Sequence, residues 1–278
     1  MTSMKDLKAY FDRIGYDGPQ TATEQTLRAL QELHPQAIPF ENLNPFLEIP
    51  VKLDLESLYQ KLVHEGRGGY CFEQNLLFKH VLETLGFKVK SLAARVLWNV
   101  PEGEIPARGH MLLLVEGEGK TYISDVGFGS STLTAPLLLE TDRTQETPHE
   151  PYRFIESKNG DYILQSMIKE EWKSNYQFDL QEHFLADYKV MNWYLSNHPE
   201  SHFVTGLVAA RPEPGRRYSL RNNVFSIHNS NSETDKREIK SVSGLRNKLE
   251  KYFLITLPDK KGIDESLGKL IDEIRKEA

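Results

Sequence analysis

The sequence contains a single cysteine, Cys71, among its 278 residues. One cysteine cannot form a disulfide within the chain, and it cannot supply a cluster of thiolate ligands to a metal ion. The thiol is therefore either a packed core residue, which is common for a free cysteine, or a nucleophile. The sequence around Cys71 is the evidence that distinguishes these two roles.

Long apolar segments are also missing. No apolar run approaches the roughly 20 residues that a membrane-spanning helix needs. The N-terminal segment does not resemble a signal peptide, because Asp6, Lys8, Asp12 and Arg13 interrupt any apolar block. We therefore expect a cytoplasmic protein that does not contact a membrane.

A strong excess of one charge is absent as well. The formal net charge is -6 and the pI is about 5.9, so nothing in the charge balance indicates a nucleic-acid partner. The nine histidines show no ligand-like spacing, and we expect no metal site. The sequence does not indicate an oligomeric state.

The order of patterns along the chain predicts an α+β fold. Residues 1–87 show helical spacing of apolar residues, and residues 88–180 contain short strand-like runs separated by turns. Residues 181–200 predict a linking helix, and residues 201–278 mix strand and helix patterns. We expect a helical bundle, an antiparallel barrel or sandwich, and a mixed third part, divided at these boundaries.

Several elements have clear start or stop signals. A helix over 72–85 is predicted to end at Gly86, which is a common residue just after a helix. Asn159 and Gly160 lie between two strand-like runs and predict a hairpin. Residues 171–178 predict a further strand.

Other signals concern the second helix and a polar stretch. Thr21 and Glu24 fit a capping box, and Pro35 and Pro39 are expected to stop the helix that follows. The polar residues 229–237 predict a loop.

Cys71 follows two glycines and opens the helix predicted over 72–85. Gly68 and Gly69 allow a sharp turn and a close approach of the backbone to a ligand. The first turn of a helix presents unpaired N–H groups and a partial positive charge, which favour a thiolate. The simpler interpretation is a tight turn between helices that holds a packed cysteine.

His110 and Asp125 flank two strand-like runs. If Val115 pairs with Lys120 across a four-residue loop, His110 lies directly opposite Asp125 on the same face of the hairpin. The carboxylate would then hold one ring nitrogen and leave the other free for a partner. A nucleophile, a base and an orienting group together form the logic of covalent catalysis. A cross-strand surface pair is the alternative.

Gly127, Phe128 and Gly129 follow Asp125 directly. Two glycines allow the backbone to bend and to approach a ligand, although a plain β-turn has the same composition. The segment lacks the third glycine and the following helix of a dinucleotide-binding loop.

Taken together, these segments resemble the arylamine N-acetyltransferase family. The resemblance rests on RGGYCFEQN at 67–75, PFENL at 39–43, His110 before an apolar strand, and DVGFG at 125–129. It implies a cysteine-protease-like fold in three parts, namely a helical bundle, an antiparallel β-barrel and an α/β lid. It also implies a catalytic triad of Cys71, His110 and Asp125.

The resemblance carries further expectations about support and chemistry. It suggests that Glu41 and Arg67 form a buried ion pair that supports the cysteine loop. It implies acetyl-CoA as the acyl-donor substrate, no permanently bound cofactor, and arylamines, arylhydrazines or arylhydroxylamines as acceptors. The reaction would run as a ping-pong transfer through an acetyl-Cys71 intermediate.

Substrate contacts are less defined by the sequence. Phe40, Phe128 and Phe203 are candidate walls for an aromatic acceptor, together with Gly127 and Gly129, and the aromatic residues could equally be core residues. Four arginines around the Pro214–Gly215 turn could meet the CoA phosphates or form a solvated turn. These arginines are Arg211, Arg216, Arg217 and Arg221.

Other functions remain open at this stage. The same triad would serve a cysteine hydrolase or amidase, in which water replaces the amine in the second step. An acyltransferase that forms an amide in a biosynthetic pathway would also use it. A non-catalytic protein of this fold would hold Cys71 as an inert thiol.

Overall fold

The computed structural model describes residues 4–101, 103–229 and 234–277. The helices, in chain order, are α1 Met4–Ile14, α2 Glu24–Ala37, α3 Leu43–Phe46, α4 Leu55–Leu58, α5 Cys71–Thr84, α6 Leu185–Asn197, α7 His202–Thr205, α8 Val242–Lys251 and α9 Ile263–Glu277. A π-helical segment, Tyr59–His64, continues α4, and a 3-10 turn covers Gly129–Ser131.

The strands of the described residues range in length from two to nine residues. In chain order they are β1 Phe40–Glu41, β2 Lys88–Val96, β3 His110–Gly117, β4 Lys120–Ser124, β5 Leu137–Leu138, β6 Tyr152–Glu156, β7 Tyr162–Ile168, β8 Glu171–Phe178, β9 Val208–Glu213, β10 Arg216–Arg221, β11 Val224–Asn229 and β12 Asp235–Glu238.

Helix α5 is the central helix of the N-terminal part. Its apolar residues are spread around the axis, as expected for a helix that is covered on several sides. Phe72, Leu77, Phe78 and Val81 are fully buried, and the helix packs against β2 and β3. This packing places its first residue, Cys71, beside the start of β3.

The middle of the chain forms an antiparallel sheet. In the described residues its strands follow the order β5-β4-β3-β2-β8-β7-β6. The segment after β5 bridges to β6 through the pairs Thr141–Phe154 and Gln145–Tyr152, so the sheet curls into a nearly closed barrel. Its interior is an apolar core that includes Leu92.

The C-terminal part is a second antiparallel sheet with α8 and α9 packed beside it. The order of this sheet is β1-β9-β10-β11-β12. Strand β1 comes from the PFENL segment and pairs Phe40 with Ala210 and Glu41 with Ala209. The N-terminal and C-terminal parts therefore share a sheet next to the cysteine loop.

Most of the predicted elements are present with small changes at their ends. The helix predicted over 72–85 is α5, Gly86 follows it with a φ of 97°, and the strand predicted over 171–178 is β8. The polar stretch 229–237 was expected to be a loop, but residues 235–238 form β12; residues 230–233 lie outside the described part. No helix in the described ranges is both long enough and apolar enough to cross a membrane.

Candidate active site

Cys71 lies at the first position of α5 with only 4% of its surface exposed. Its Sγ is 3.8 Å from the carbonyl oxygen of Gly109, the residue before β3. As the first helical residue, Cys71 has a backbone N–H without an intrahelical acceptor. The nucleophile candidate is thus nearly buried and lies at the positive end of a helix.

The two glycines before Cys71 allow this loop to lie against β1. The Gly69 N–H donates to the Pro39 carbonyl at 3.2 Å, and the Gly69 carbonyl accepts from Glu41 N at 3.1 Å. A Cβ on Gly68 would lie 2.0 Å from the Pro39 carbonyl oxygen, so a larger residue would force the two segments apart. The RGG and PFENL segments therefore pack directly against each other.

His110 and Asp125 form a buried pair. His110 Nε2 is 2.7 Å from Asp125 Oδ2, and both side chains have 3% or less of their surface exposed. Burial lowers the pKa of His110, but the charge of Asp125 and hydrogen bonds to Asp125 and Cys71 outweigh it and raise that pKa from 6.5 to about 10. The imidazole is thus charged at neutral pH, and Nδ1 is the nitrogen left for Cys71.

The register predicted for this hairpin was wrong. Gly117, and not Val115, pairs with Lys120, so the loop has two residues instead of four and His110 is not directly opposite Asp125. A register change of two residues leaves every side chain on the same face. His110 and Asp125 therefore still meet, as diagonal neighbours, with Asp125 just beyond the end of β4.

The two-residue loop has a clear physical cause. Glu118 and Gly119 both have positive φ angles, 51° and 75°, as a type I′ turn requires. The usual Asn-Gly or Asp-Gly signal is absent, and glutamate is an uncommon residue at positive φ. The sequence pattern therefore did not show where the tight turn lies.

Asn75 holds the second oxygen of Asp125. Its Nδ2 donates to Asp125 Oδ1 at 3.0 Å and to the Met111 carbonyl at 2.8 Å, while its Oδ1 accepts from Val126 N at 3.1 Å. Sequence reasoning gave this residue no role. Its position four residues after Cys71 puts both on one face of α5, and that helical spacing was the available signal.

Gln31 fixes the backbone of Asp125 from α2. Its Nε2 donates to the carbonyl of Asp125 at 2.8 Å and to that of Leu133 at 2.9 Å, and its Oε1 accepts from the Ser124 hydroxyl. The side chain is fully buried. Nothing near Gln31 in the sequence indicates this contact, because its partners lie far along the chain.

Aromatic rings cover His110 on the barrel side. The ring centroids of Phe128 and Tyr176 are each 5.0 Å from that of His110, and the two rings are 4.9 Å from each other. Burial, and then the charge of Asp125, raise the pKa of Tyr176 well above its ordinary value. Phe128 was a predicted site residue, whereas Tyr176 lies in β8 and carries no motif.

The other predicted substrate residues fall into two places. The rings of Phe40 and Phe203 are 6.1 Å apart, and Gly129 lies against Phe40. Gly127 is packed under the nucleophile, because a Cβ there would lie 2.7 Å from Cys71 Cα. The space beside Gly127 is thus filled by the protein itself.

Glu41 and Arg67 lie in a buried ion pair behind the cysteine loop. Arg67 Nε and Nη2 donate to Glu41 Oε1 at 2.9 and 2.7 Å, and Nη2 also donates to Asn44. Burial raises the pKa of Glu41, but the charges of Arg67 and Lys61 outweigh it and lower that pKa. Such a pair holds geometry more than it adds net stability.

Two of the four arginines around the Pro214–Gly215 turn are held in contacts within the protein, whereas Arg216 and Arg221 are exposed. Arg217 is buried and donates to Glu150 at 2.8 and 3.0 Å. Arg211 donates to Glu213 and to the Tyr252 carbonyl. Both of these side chains tie the C-terminal sheet to its surroundings.

The site can perform nucleophilic acyl transfer with three buried side chains. It combines a thiol at a helix N-terminus, an imidazolium and a carboxylate whose oxygens are both hydrogen-bonded. Within residues 4–101, 103–229 and 234–277, no three His, Cys, Asp or Glu side chains are grouped to hold a metal ion.

Comparisons with known proteins agree with this chemistry. A family model described as N-acetyltransferase matches residues 23–262. The arylamine N-acetyltransferase of Mycobacterium tuberculosis is 43% identical over 276 residues, which cover 97% of this chain and 95% of the relative. The arylamine N-acetyltransferase / N-hydroxyarylamine O-acetyltransferase of Salmonella typhimurium is 38% identical over 94% of this chain and 92% of the relative.

A solved structure gives the same result at the level of the fold. The arylamine N-acetyltransferase of Mycobacterium marinum in complex with CoA matches with a TM-score of 0.91 at 39% identity, covering 96% of this chain and 99% of that chain. The family model spans most of the chain and the relatives match nearly all of it. The chain therefore belongs to the arylamine N-acetyltransferase family.

Proposed function

We propose that this enzyme transfers an acetyl group from acetyl-CoA to arylamines and arylhydrazines through an acetyl-Cys71 intermediate. The observation that carries the proposal is the position of Cys71 at the start of α5, beside the buried His110–Asp125 pair. The names of the relatives and the CoA complex of the M. marinum enzyme support the same donor and acceptor classes.

The first half-reaction acylates Cys71. The thiolate attacks the thioester carbonyl of acetyl-CoA, and the bond between that carbon and the CoA sulfur breaks. Protonated His110 gives its Nδ1 proton to the departing CoA thiolate, so CoA leaves as a thiol. The first-turn N–H groups of α5 are the candidates for stabilising the tetrahedral oxyanion.

The second half-reaction restores the enzyme. The amine nitrogen attacks the acetyl carbon, and His110 takes a proton from that nitrogen as the bond to Cys71 Sγ breaks. The products are the N-acetyl amine and the original pair of thiolate and imidazolium. Asp125 keeps the ring oriented through Nε2 in both halves.

Aromatic side chains are the proposed walls for the acceptor. Phe40 and Phe203 face each other, and Phe128 packs on His110, so an aromatic ring would find apolar contact next to the thioester. O-acetylation of arylhydroxylamines follows from the same chemistry, since their hydroxyl is also a nucleophile. The name of the S. typhimurium relative includes that activity.

The proposed place of action is the cytoplasm. The mechanism needs a reduced Cys71, and cytosolic conditions keep thiols reduced. The proposed partners are small molecules, namely acetyl-CoA and the acceptor amine or hydrazine.

Mass spectrometry and CoA release test this function together. Protein mixed with acetyl-CoA alone should gain one acetyl group on Cys71, and steady release of free CoA should begin only when an aryl hydrazine is added. Cys71→Ala should do neither. Steady CoA release without amine would instead indicate a hydrolase, and an unmodified but rapidly alkylating Cys71 would exclude acetyl-CoA as the donor.

A further inference from the structure

A groove of about 470 Å³ lies between α4, the second half of α5 and the start of α6. Its lining includes Leu58, Leu76, Lys79, Ser91, Phe184 and Tyr188. None of these side chains belongs to the acyl-transfer site described above.

The groove and the nucleophile occupy different parts of α5. Cys71 opens this helix, whereas Lys79 lies eight residues further, which corresponds to about 12 Å along the axis. Leu58 and Tyr188 form the buried floor of the groove.

Lys79 is less exposed than the two acidic residues of the groove, Asp54 and Glu83. Its side chain is 22% exposed, against 46% for Glu83, and Asp54 at the opposite edge is exposed and caps α4. Lys79 Nζ donates to Ser91 Oγ at 3.1 Å and is 3.8 Å from Glu83, beyond hydrogen-bonding distance. An ammonium group has three donors, so Lys79 can bind a further acceptor.

Two histidines also line the groove. The backbone N–H of His183 is fixed to the Ser91 carbonyl at 2.8 Å, next to the contact of Lys79. The Nε2 of His183 is buried and, in the described part of the chain, has no hydrogen-bond partner. The other histidine is His80.

Two large apolar side chains at the rim of the groove are exposed to solvent. Phe184 is 63% exposed and Leu185 is 41% exposed, and both lie beside the buried ring of Tyr188. Exposed apolar side chains around a concave surface are typical of ligand sites, in which a few polar groups fix the orientation.

We propose that this groove is a second, non-catalytic site that binds a small aromatic carboxylate. The ring packs against Leu76, Phe184 and Tyr188, and the carboxylate binds Lys79 in place of the long contact to Glu83. A carboxylate suits the groove better than an amine because the lysine lies deeper than either acidic side chain. This inference does not depend on the acyl-transfer function.

The test is an NMR titration with 4-ethylbenzoate, a probe that has no amine to acetylate. The protein is first alkylated at Cys71 with iodoacetamide, so that the acyl-transfer pocket is blocked. The amide signals of 76–83 and 183–188 should shift with the probe, and 4-ethylbenzamide, which lacks the charge, should bind less tightly.

Charge variants give opposite expected effects. Lys79→Gln should weaken binding about tenfold, because a charge-assisted hydrogen bond is lost. Glu83→Gln should tighten binding about twofold, because it removes a competitor for Lys79. Lys173→Gln, which breaks the pair of Lys173 with Glu171 on β8, should change nothing.

Three outcomes would overturn the proposal. They are shifts that map elsewhere on the protein, equal affinity for 4-ethylbenzamide, and equal effects of Lys79→Gln and Lys173→Gln. If Lys79→Gln does not fold, the exposed Glu83→Gln still decides, since unchanged or weaker binding in that variant contradicts a carboxylate on Lys79.

Discussion

At the scale of single residues, His110 combines burial with a positive charge. An isolated buried imidazole would lose its proton, and here Asp125 reverses that effect. The resting enzyme should therefore already hold, beside Cys71, the proton that His110 gives to the departing CoA thiolate in the first half-reaction.

The charge of His110 can be measured directly. With a pKa raised to about 10, the ring should remain doubly protonated at pH 8 and lose its proton only as the pH approaches 10. In Asp125→Asn, burial dominates and the ring should be neutral at pH 8, with activity lower by about 10³–10⁴-fold. Ring ¹⁵N NMR at pH 8 gives the protonation state, and a neutral ring in the unchanged protein would contradict the assignment.

Gly127 offers a second test at the residue scale. In Gly127→Ala the new methyl group would lie 2.7 Å from Cys71 Cα and 2.9 Å from Asn75 Nδ2, so the nucleophile must move. We expect kcat/KM to fall by about 10²-fold, because such a displacement of a reacting group is costly. Acylation kinetics and circular dichroism would separate lost activity from lost folding.

Gly268→Ala is the matched control for that experiment. Gly268 lies within α9, and its new methyl group would meet only Val242 at an ordinary 3.7 Å. Alanine stabilises a helix relative to glycine, so this variant should keep full activity. A similar loss in both variants would mean that the close packing under Cys71 is not the cause.

The residues of the site differ in how far the sequence could predict them. Cys71 could be predicted from the residues next to it in the sequence. His110 and Asp125 could be predicted to meet because both lie on the same face of the hairpin, although the predicted register was wrong. The contacts of Gln31 and Tyr176 depend on how α2 and β8 pack onto the hairpin. No local pattern records such packing.

At the scale of elements, helix α2 shows why the sequence predicted that a helix is present more accurately than it predicted where the helix begins and ends. Thr23, and not Thr21, caps this helix, since its Oγ1 accepts from Thr26 N at 3.3 Å. Pro35 does not stop the helix, which continues to Ala37. Pro35 lies in the last turn, so its missing N–H and the contact of its ring with the preceding turn disturb only the end of the helix.

His34 joins three helices. Its Nδ1 is 2.8 Å from the Tyr10 hydroxyl on α1, and its Nε2 is 2.7 Å from Gln74 Oε1 on α5. Burial lowers the pKa of His34 from 6.5 to about 4, against the opposing hydrogen bond to Gln74. The folded protein therefore keeps this ring neutral in a pH range where the unfolded chain protonates it.

This difference predicts a loss of stability in mild acid. Below pH 6.5 the unfolded state gains the proton first, so the free energy of unfolding should fall as the pH drops from 6.5 to 4, by about 3 kcal/mol from His34. Denaturant unfolding at several pH values gives the slope, and His34→Gln should have a shallower one. Equal slopes would show that His34 does not cause the loss.

The comparison with His34→Gln is needed because other histidines act in the same direction. Burial also lowers the pKa values of His80, His149, His202 and His228. Their contribution is common to both proteins and cancels in the difference between slopes.

At the scale of the whole molecule, a buried ion pair ties the C-terminal sheet to the barrel. Arg217 on β10 binds Glu150, whose Oε1 also accepts from the Tyr152 hydroxyl, and that hydroxyl is 3.0 Å from the Ser131 carbonyl. Ser131 ends the 3-10 turn that follows Phe128. This chain of contacts connects the lid to the loop beside His110.

Breaking this pair should loosen the lid. Arg217→Met leaves Glu150 without its cation and should cost about 3 kcal/mol of unfolding free energy. The double variant Arg217→Met/Glu150→Leu should recover part of that loss, because no uncompensated charge remains. Arg237→Met removes the exposed pair with Asp235 on the same sheet, and we expect no measurable change in Tm.

Thermal unfolding distinguishes these outcomes. If Arg217→Met and Arg237→Met shift Tm equally, the buried pair contributes no more than a surface pair. The same measurement shows whether the lid and the barrel unfold in one transition or in two. Separate transitions would support the predicted domain boundaries near 87, 180 and 200. Those boundaries stay predictions, although β1 already shows that the first and third parts share a sheet.

Strand β1 has a consequence for how the enzyme comes into being during translation. Phe40 and Glu41 emerge early from the ribosome, yet their partners Ala210 and Ala209 are made only when most of the chain exists. The glycine loop before Cys71 is hydrogen-bonded to that strand, so Cys71 reaches its final position only late in synthesis. A nascent chain that stops before β9 should therefore carry the complete thiol, imidazole and carboxylate and still be unable to react.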